Sequence, residues 1–290
     1  MHIFKQAPVG LILFLLVLGL MFTPRAGLAF EKSVVEDQGI FEAGYIEVVG
    51  ESESGQRRYA AIRAATVVAQ RNLLEELKGV RVQGETTIAD GMLKNDVVRS
   101  QVKGFLRGAR LCGRTYHAQE RYAEVCLRLY LRGQGGVYDS LYKTLQDEKI
   151  VGAMEEVPSS PQPSTPPSSI NTVVTEKADF DGVIIEMAGL PFKPAIVNRI
   201  LNRKGEILFD PSKVVNSILI ERGTGGFTNQ LGKAKGLLAS WDGMKPLLIQ
   251  AVETKQGTDA IIGDDDAARM FASDQKNSFL SQAKVVFVIN

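Results

Sequence analysis

The sequence predicts an α+β chain, with two small, sandwich-like α/β domains joined by a Pro/Ser-rich linker. Three observations predict it. Between Tyr45 and Leu131 an alternating strand pattern, an alanine-rich helical pattern and a hairpin pattern follow one another. From Glu155 to Ser169 the tract EEVPSSPQPSTPPSS has nothing to bury and reads as extended linker. Beyond Phe180, short apolar runs of strand length alternate with helical stretches. The resulting divisions are residues 1–29 as a leader, 30–150 as the first domain, 151–178 as the linker and 179–290 as the second domain.

A chain of 290 residues has room for two ordinary domains, and 44% apolar with 23% charged residues is a globular mixture. The formal charge of +1 supplies no overall pull toward nucleic acid or anionic lipid, so no nucleic-acid partner is expected. Of the two histidines, His2 falls in the leader. A mature chain with His117 as its single histidine has little material for a His-based triad or a multi-His zinc site.

The leader is predicted from an apolar run, Val9 to Phe22, of about 14 residues against the roughly 20 needed to span a bilayer. Thr23, Pro24 and Arg25 break it, and Gly27-Leu28-Ala29 is the small-x-small pattern of a cleavage site. The cut is expected between Ala29 and Phe30, leaving an exported periplasmic chain with no stable membrane insertion. No cysteine stands near the cut to carry a lipid.

Phe30 to Gly44 is acidic and aperiodic and reads as an arm. Tyr45 to Val49 alternates, with Ile46 and Val48 on one face, as a half-buried strand does. Ser52 and Ser54 offer N-cap oxygens to a helix whose Ile62, Ala65, Ala69, Leu73 and Leu77 form the buried stripe, its alanines suiting close approach to a sheet. Gly79 is expected to end it at positive φ. Val80 to Val82 is extended, Glu85 to Lys94 is ambiguous, and Asn95 or Asp96 caps a second helix with the stripe Val98, Val102 and Phe105, stopped at Gly108.

In the hairpin that follows, Val125, Leu127, Leu129 and Leu131 share the core face. A loop centred on Gln119 sets Tyr116 opposite Tyr122, Arg114 opposite Glu124 and Cys112 opposite Cys126. That register brings the chain's two cysteines to disulfide distance in an oxidising compartment. Closing such a loop stabilises by about 3 kcal/mol in the chain-entropy account. Val137 to Gln146 reads as a short closing helix.

In the second domain, strands are expected at Val183 to Met187, Ala195 to Leu201, Glu206 to Phe209, Leu247 to Val252 and Val285 to Ile289. Asn202 to Gly205 reads as a hairpin turn with Gly205 at positive φ. Helices are expected from Thr228 to Ala239 and, after Asp264 to Asp266, through Ala272, while Val214 to Ile220 fits either state. The terminal VVFVI is expected to be central or well paired, since such an edge would aggregate.

Several motifs have plain readings beside sharper ones. The segment Arg222 to Gly236 is glycine-rich but lacks phosphate-loop spacing, with Ala234 where a magnesium-binding hydroxyl belongs. Asp264, Asp265 and Asp266 are read as helix-start acids opposing the dipole rather than a cation site. His117 is read as a solvated turn residue, and Arg107, Arg110, Arg114 and Arg128 as a solvated sheet face, the other reading being a basic patch for an acidic partner, diluted by Glu120 and Glu124. Trp241 fits a core or a ligand platform equally.

The stretch GYIEVVGESESGQRRYAAIRAATVVAQRNLLEELKGVRVQGETTI, with NDVVRSQVKGFLRGARL and YAEVCLRLYL, resembles the twenty-kilodalton Lpp lipoprotein family and the N-terminal domain of flagellar assembly protein T. The resemblance covers Gly44 to Leu131. It implies a small α/β fold, an envelope protein of a Gram-negative bacterium and no catalytic residues or cofactor. It also implies protein contacts, with envelope or flagellar basal-body proteins or a second copy of the chain as partners. The expected function is a non-catalytic assembly or interaction module. The other reading is a periplasmic binding protein for a small ligand or a cell-wall glycan, and a hydrolase lacks a nucleophile and base at telling spacing.

Overall fold

The computed structural model describes residues 37–147, 150 and 179–289. The leader, with its cut between Ala29 and Phe30, and the Pro/Ser tract lie outside the described residues. The described chain is α+β. A short helix, α1 (Asp37–Ala43), opens it within the stretch read as an aperiodic arm. Its Ile40 and Phe41 are buried and anchor it, which local polarity concealed.

Strand β1 (Tyr45–Glu51) follows, then helix α2 (Arg58–Gly79). Its buried residues are Ala61, Ala65, Ala69, Leu73 and Leu77, spaced four apart, with Ile62 only partly buried at the margin. The alanines matter at Gly50, where an added Cβ would overlap the backbone of Ala65 and Ala69. Two expected caps are corrected. The N-cap is Arg57, without a side-chain bond, and Ser52 instead accepts from the Ala123 amide at 3.0 Å. Gly79 remains inside the helix, Val80 being the C-cap, and its φ is not positive.

Next come the small pair β2 (Arg81–Gln83) and β3 (Thr86–Thr87), then α3 (Ile88–Lys94) and α4 (Asp96–Gly108). The ambiguous stretch from Glu85 resolves through a capping box. Thr87 and Asp90 satisfy each other's backbone amides, and these bonds hold the Asp90 carboxyl below its usual range. Asn95 caps α4 by accepting from Val97 and Val98, and Val98, Val102 and Phe105 are its buried stripe.

Strands β4 (Arg110–His117) and β5 (Tyr122–Tyr130) form the hairpin, and the sheet order is β1-β5-β4, all antiparallel. The expected register is off by one near the loop. His117 pairs with Tyr122, Tyr116 with Ala123, Thr115 with Glu124 and Arg114 with Val125. The cause is a four-residue connection ending in Arg121 at φ 56, in place of a loop centred on Gln119. A bulge between Leu111 and Gly113 absorbs the extra residue and restores the expected pairing of Leu111 with Leu127. The residue in the bulge is Cys112, and it is bonded to Cys126 with Cα atoms 5.1 Å apart. Helices α5 (Val137–Ser140) and α6 (Tyr142–Asp147) stand where one helix was expected.

The second half is built on a four-stranded parallel sheet in the order β10-β6-β13-β9, from β6 (Gly182–Glu186), β9 (Gly226–Thr228), β10 (Pro246–Gln250) and β13 (Val285–Val288). β13 lies between β6 and β9, so the VVFV run is internal. A mixed sheet, β11-β12-β7-β8, adds β7 (Ile200–Asn202), β8 (Ile207–Phe209), β11 (Glu253–Lys255) and β12 (Asp259–Ile262), with Gly205 at φ 82 in the β7–β8 turn. Helix α7 (Asn216–Arg222) settles the undecided Val214 to Ile220 stretch. Helix α8 (Leu231–Ala239) starts later than expected because Gly226–Thr228 is paired as a strand, and α9 (Asp264–Asn277) runs five residues past its expected end at Ala272. Ala195 to Arg199 is not a strand of either main sheet. Instead, the Ile196 and Val197 amides donate to the carbonyls of Arg81 and Val82, both at 2.9 Å.

One apolar core runs through both halves, from Ile40 to Ile289. Its spine is a column of rings. Phe41 meets Phe227 edge-on at 5.5 Å, Phe227 stacks on Phe287 at 5.5 Å, and Phe287 on Phe192 at 5.1 Å. On the opposite side of the parallel sheet, Ile184, Val286 and Val288 pack on Ala234, Leu238 and Trp241.

Candidate functional site

Helix α2 lies over β1 and β5 and barely reaches β4, and it covers one face of the sheet only. Alternation therefore divides β5 sharply. Ala123, Val125, Leu127 and Leu129 are buried, while Tyr122, Glu124, Cys126 and Arg128 are half-buried on the open face.

The open face is held by its own side chains. Tyr45 sits opposite Tyr130 with rings edge-on at 6.0 Å. Arg128 lies over the Tyr45 ring at 4.3 Å, and its Nε donates to Glu47 Oε2 at 2.7 Å. Hydrogen bonding to Tyr130 and Glu47 raises the Arg128 pKa further, so this cation is permanent. Arg110 reaches over Tyr130 at 5.3 Å. At the other end His117 stacks on Tyr122 at 4.3 Å, with Nε2 3.4 Å from Glu124 Oε1. His117 is therefore not the isolated turn residue expected, because the register shift places it against Tyr122. Loss of water and then the Glu124 charge raise the Tyr122 pKa.

The disulfide lies in the middle of this face. Glu47 and both sulfurs lie within 4.8 Å of one another, but the S–S bond leaves no thiolate to bind a cation. The four arginines grouped by sequence part company. Arg128 is paired and Arg110 is over a ring, whereas among the described residues Arg107 bonds only the Lys103 carbonyl and Arg114 has no partner.

Other sequence candidates are spent on structure. Gly223, at φ +75, faces the Tyr138 ring, where a Cβ would lie 2.7 Å from it, and Gly225, at φ +133, faces the Val285 carbonyl. Close packing thus accounts for Gly223, against the first half, and for Gly225, within the second. Asp264, Asp265 and Asp266 occupy the first turn of α9, where Asp266 bonds Arg269 at 3.0 Å. Trp241 is buried beneath the Arg222 guanidinium, 5.5 Å away, so it belongs to the core.

A polar cluster that sequence reasoning missed lies in the second half and is tied to the first through Gln83 and Gly84. Asp259, 4% exposed, accepts from the Arg199 amide at 3.1 Å, and Arg199 Nε donates to Asp210 at 3.0 Å. The Gly84 amide donates to Thr258 Oγ1 at 2.9 Å. Burial pushes the Asp259 carboxyl up, opposed by its bonds to Arg199 and Gln83. No signal in a single sequence marks such residues, because each is an ordinary polar side chain until the halves meet.

These features define a disulfide-stapled α+β protein whose exposed chemistry is an aromatic and arginine-lined sheet face. Among the described residues, no helix is long and apolar enough to cross a membrane. Residues 182–290 match the family described as Treponema pallidum Tp0624, second domain. The match starts at the first residue of β6 and takes in the whole second half. No curated protein matches the chain.

Proposed function

We propose that the chain is a non-catalytic periplasmic protein of the cell envelope, exported through a leader cut between Ala29 and Phe30, that works as an assembly or interaction module. The observation that carries this reading is the open face of the disulfide-bonded sheet. Glu47 and Glu124 are engaged by Arg128 and His117 and the rings by one another, which suits docking against another protein better than turning over a substrate. The resemblance of Gly44 to Leu131 to envelope proteins, one of them a flagellar assembly factor, sharpens it to a role beside the flagellar motor.

Crosslinking with mass spectrometry in the native envelope tests the general reading, which expects linked peptides from envelope proteins at the sheet face. Loss of motility or of motor rings in a deletion strain tests the flagellar form. Normal motility with intact rings would refute that form alone.

A further inference from the structure

The least covered element of the open sheet is its edge, β4. Its eight residues, RLCGRTYH, contain two arginines and a histidine and no acid. All but Gly113, Tyr116 and His117 are exposed, and Leu111 is 57% exposed although its partner Leu127 is buried. The reason is that α2 stops short of this strand. Among the described residues β4 pairs with β5 only, and no other described strand lies beside its outer backbone groups.

Charge is distributed unevenly across the face. The acids Glu47, Glu51 and Glu124 lie on β1 and β5, away from this edge, and Glu47 and Glu124 are engaged by Arg128 and by His117. The cations stand at the rim. Arg110 projects on the open side, sharing it with Arg128, and Arg114 on the helix-covered side, sharing it with Val125. Neither has a carboxylate partner, and Lys103 and Arg107, exposed in the final turns of α4 just before the strand, have none either.

Bulges and charges commonly protect an edge from pairing. Here the bulge is confined to Cys112 and fixed by the disulfide, so Gly113 to His117 runs on in regular register. The charges, moreover, select among partners. A second copy docking edge to edge would bring an acid-free, arginine-bearing strand against its like, which is destabilising. An acidic strand meets a cation on each side of the sheet and an apolar residue at Leu111.

We infer that β4 is a docking edge for an extended acidic segment of a partner protein, added as a fourth strand beside Arg110–His117 with its carboxylates against Arg110 and Arg114. This rests on the interaction reading above and names the surface and partner chemistry for it. Main-chain bonds give such an added strand affinity, and its side chains give it specificity.

The test uses the exported chain and an end-blocked peptide as long as β4 itself at eight residues, Val-Glu-Glu-Val-Val-Glu-Glu-Val, whose glutamates fall on both faces of an extended strand because Arg110 and Arg114 do. Fluorescence anisotropy should show binding that weakens with salt and is lost when lysine replaces glutamate. The charge reversal Arg110→Glu with Arg114→Glu should weaken it by about ten-fold or more, with only a small fall in melting temperature from the lost contact of Arg110 with Tyr130, since neither residue is ion-paired. Methylating alternate peptide amides should abolish binding, and amide exchange should slow in residues 110–117. Binding that survives charge reversal or amide methylation, protection elsewhere, or no binding would overturn the assignment. Light scattering that shows a dimer with β4 protected would overturn it in favour of a second copy. Envelope crosslinks at other surfaces would leave the general interaction reading standing while this edge failed.

Discussion

The sheet β1-β5-β4 is covered on one side only, by α2, whereas the parallel sheet β10-β6-β13-β9 is buried on both at its inner strands β6 and β13. The sequences differ accordingly. β5 alternates buried and half-exposed residues along its length, while β6 and β13 read GVIIE and VVFV with nearly every residue enclosed. The first half gains a covalent staple across two neighbouring strands. The second has no cysteine and is held by packing and buried hydrogen bonds. The open sheet face therefore belongs to the half that carries the disulfide, and the other half supplies the mass of core against which it is braced.

The largest effect should come from erasing the element the halves share. Phe227→Ala removes the ring that joins Phe41 to Phe287, and should destabilise the protein by about 3–5 kcal/mol. In urea, Trp241 fluorescence reports the second half and amide exchange in β5 reports the first. Both should shift together, and separate transitions would show that the halves fold independently.

Removing the staple should sharpen the contrast. The double substitution Cys112→Ser with Cys126→Ser opens a loop closed over 14 residues of separation, and should lose about 3 kcal/mol in the chain-entropy account. Exchange should quicken first in β4, with β6 and β13 unchanged. Equal loosening of both halves would break the distinction drawn between them.

The smallest effect is a pH dependence at the junction. The folded Asp259 carboxyl has a pKa above its unfolded value, so its contribution to stability is full below that unfolded value, about pH 4, and is lost as pH rises through the folded one. Asp259→Asn keeps an oxygen to accept from the Arg199 amide and carries no charge. Melting temperatures of the two proteins should therefore diverge in the variant's favour as pH rises from 4 to 7. A widening gap in the opposite sense would mean that the Arg199 attraction outweighs burial.

Much of this fold is legible in sequence wherever periodicity reports burial. The face of β5, the stripe of α4, the disulfide pair and the internal position of β13 all follow from local pattern and composition. What could not be read has tertiary causes. Helix α1 is held by Phe41 contacting a ring far along the chain, so its own residues look like an arm. The register near the hairpin loop depended on Arg121 taking positive φ, which no residue type announces as glycine would. The open face was partly legible as an arginine group, but which arginines are engaged depends on Glu47, Tyr45 and Tyr130, brought there by strand pairing.

The amides of Ile196 and Val197 on the carbonyls of Arg81 and Val82, together with the phenylalanine column, have a consequence for how the chain is held together. None of these contacts passes through the stretch between Ile150 and Asp179. A protease cut there would sever the polypeptide yet leave a single particle, its two fragments travelling as one through gel filtration and parting only in denaturant. Topologically one molecule, the protein is mechanically a complex of its own two parts.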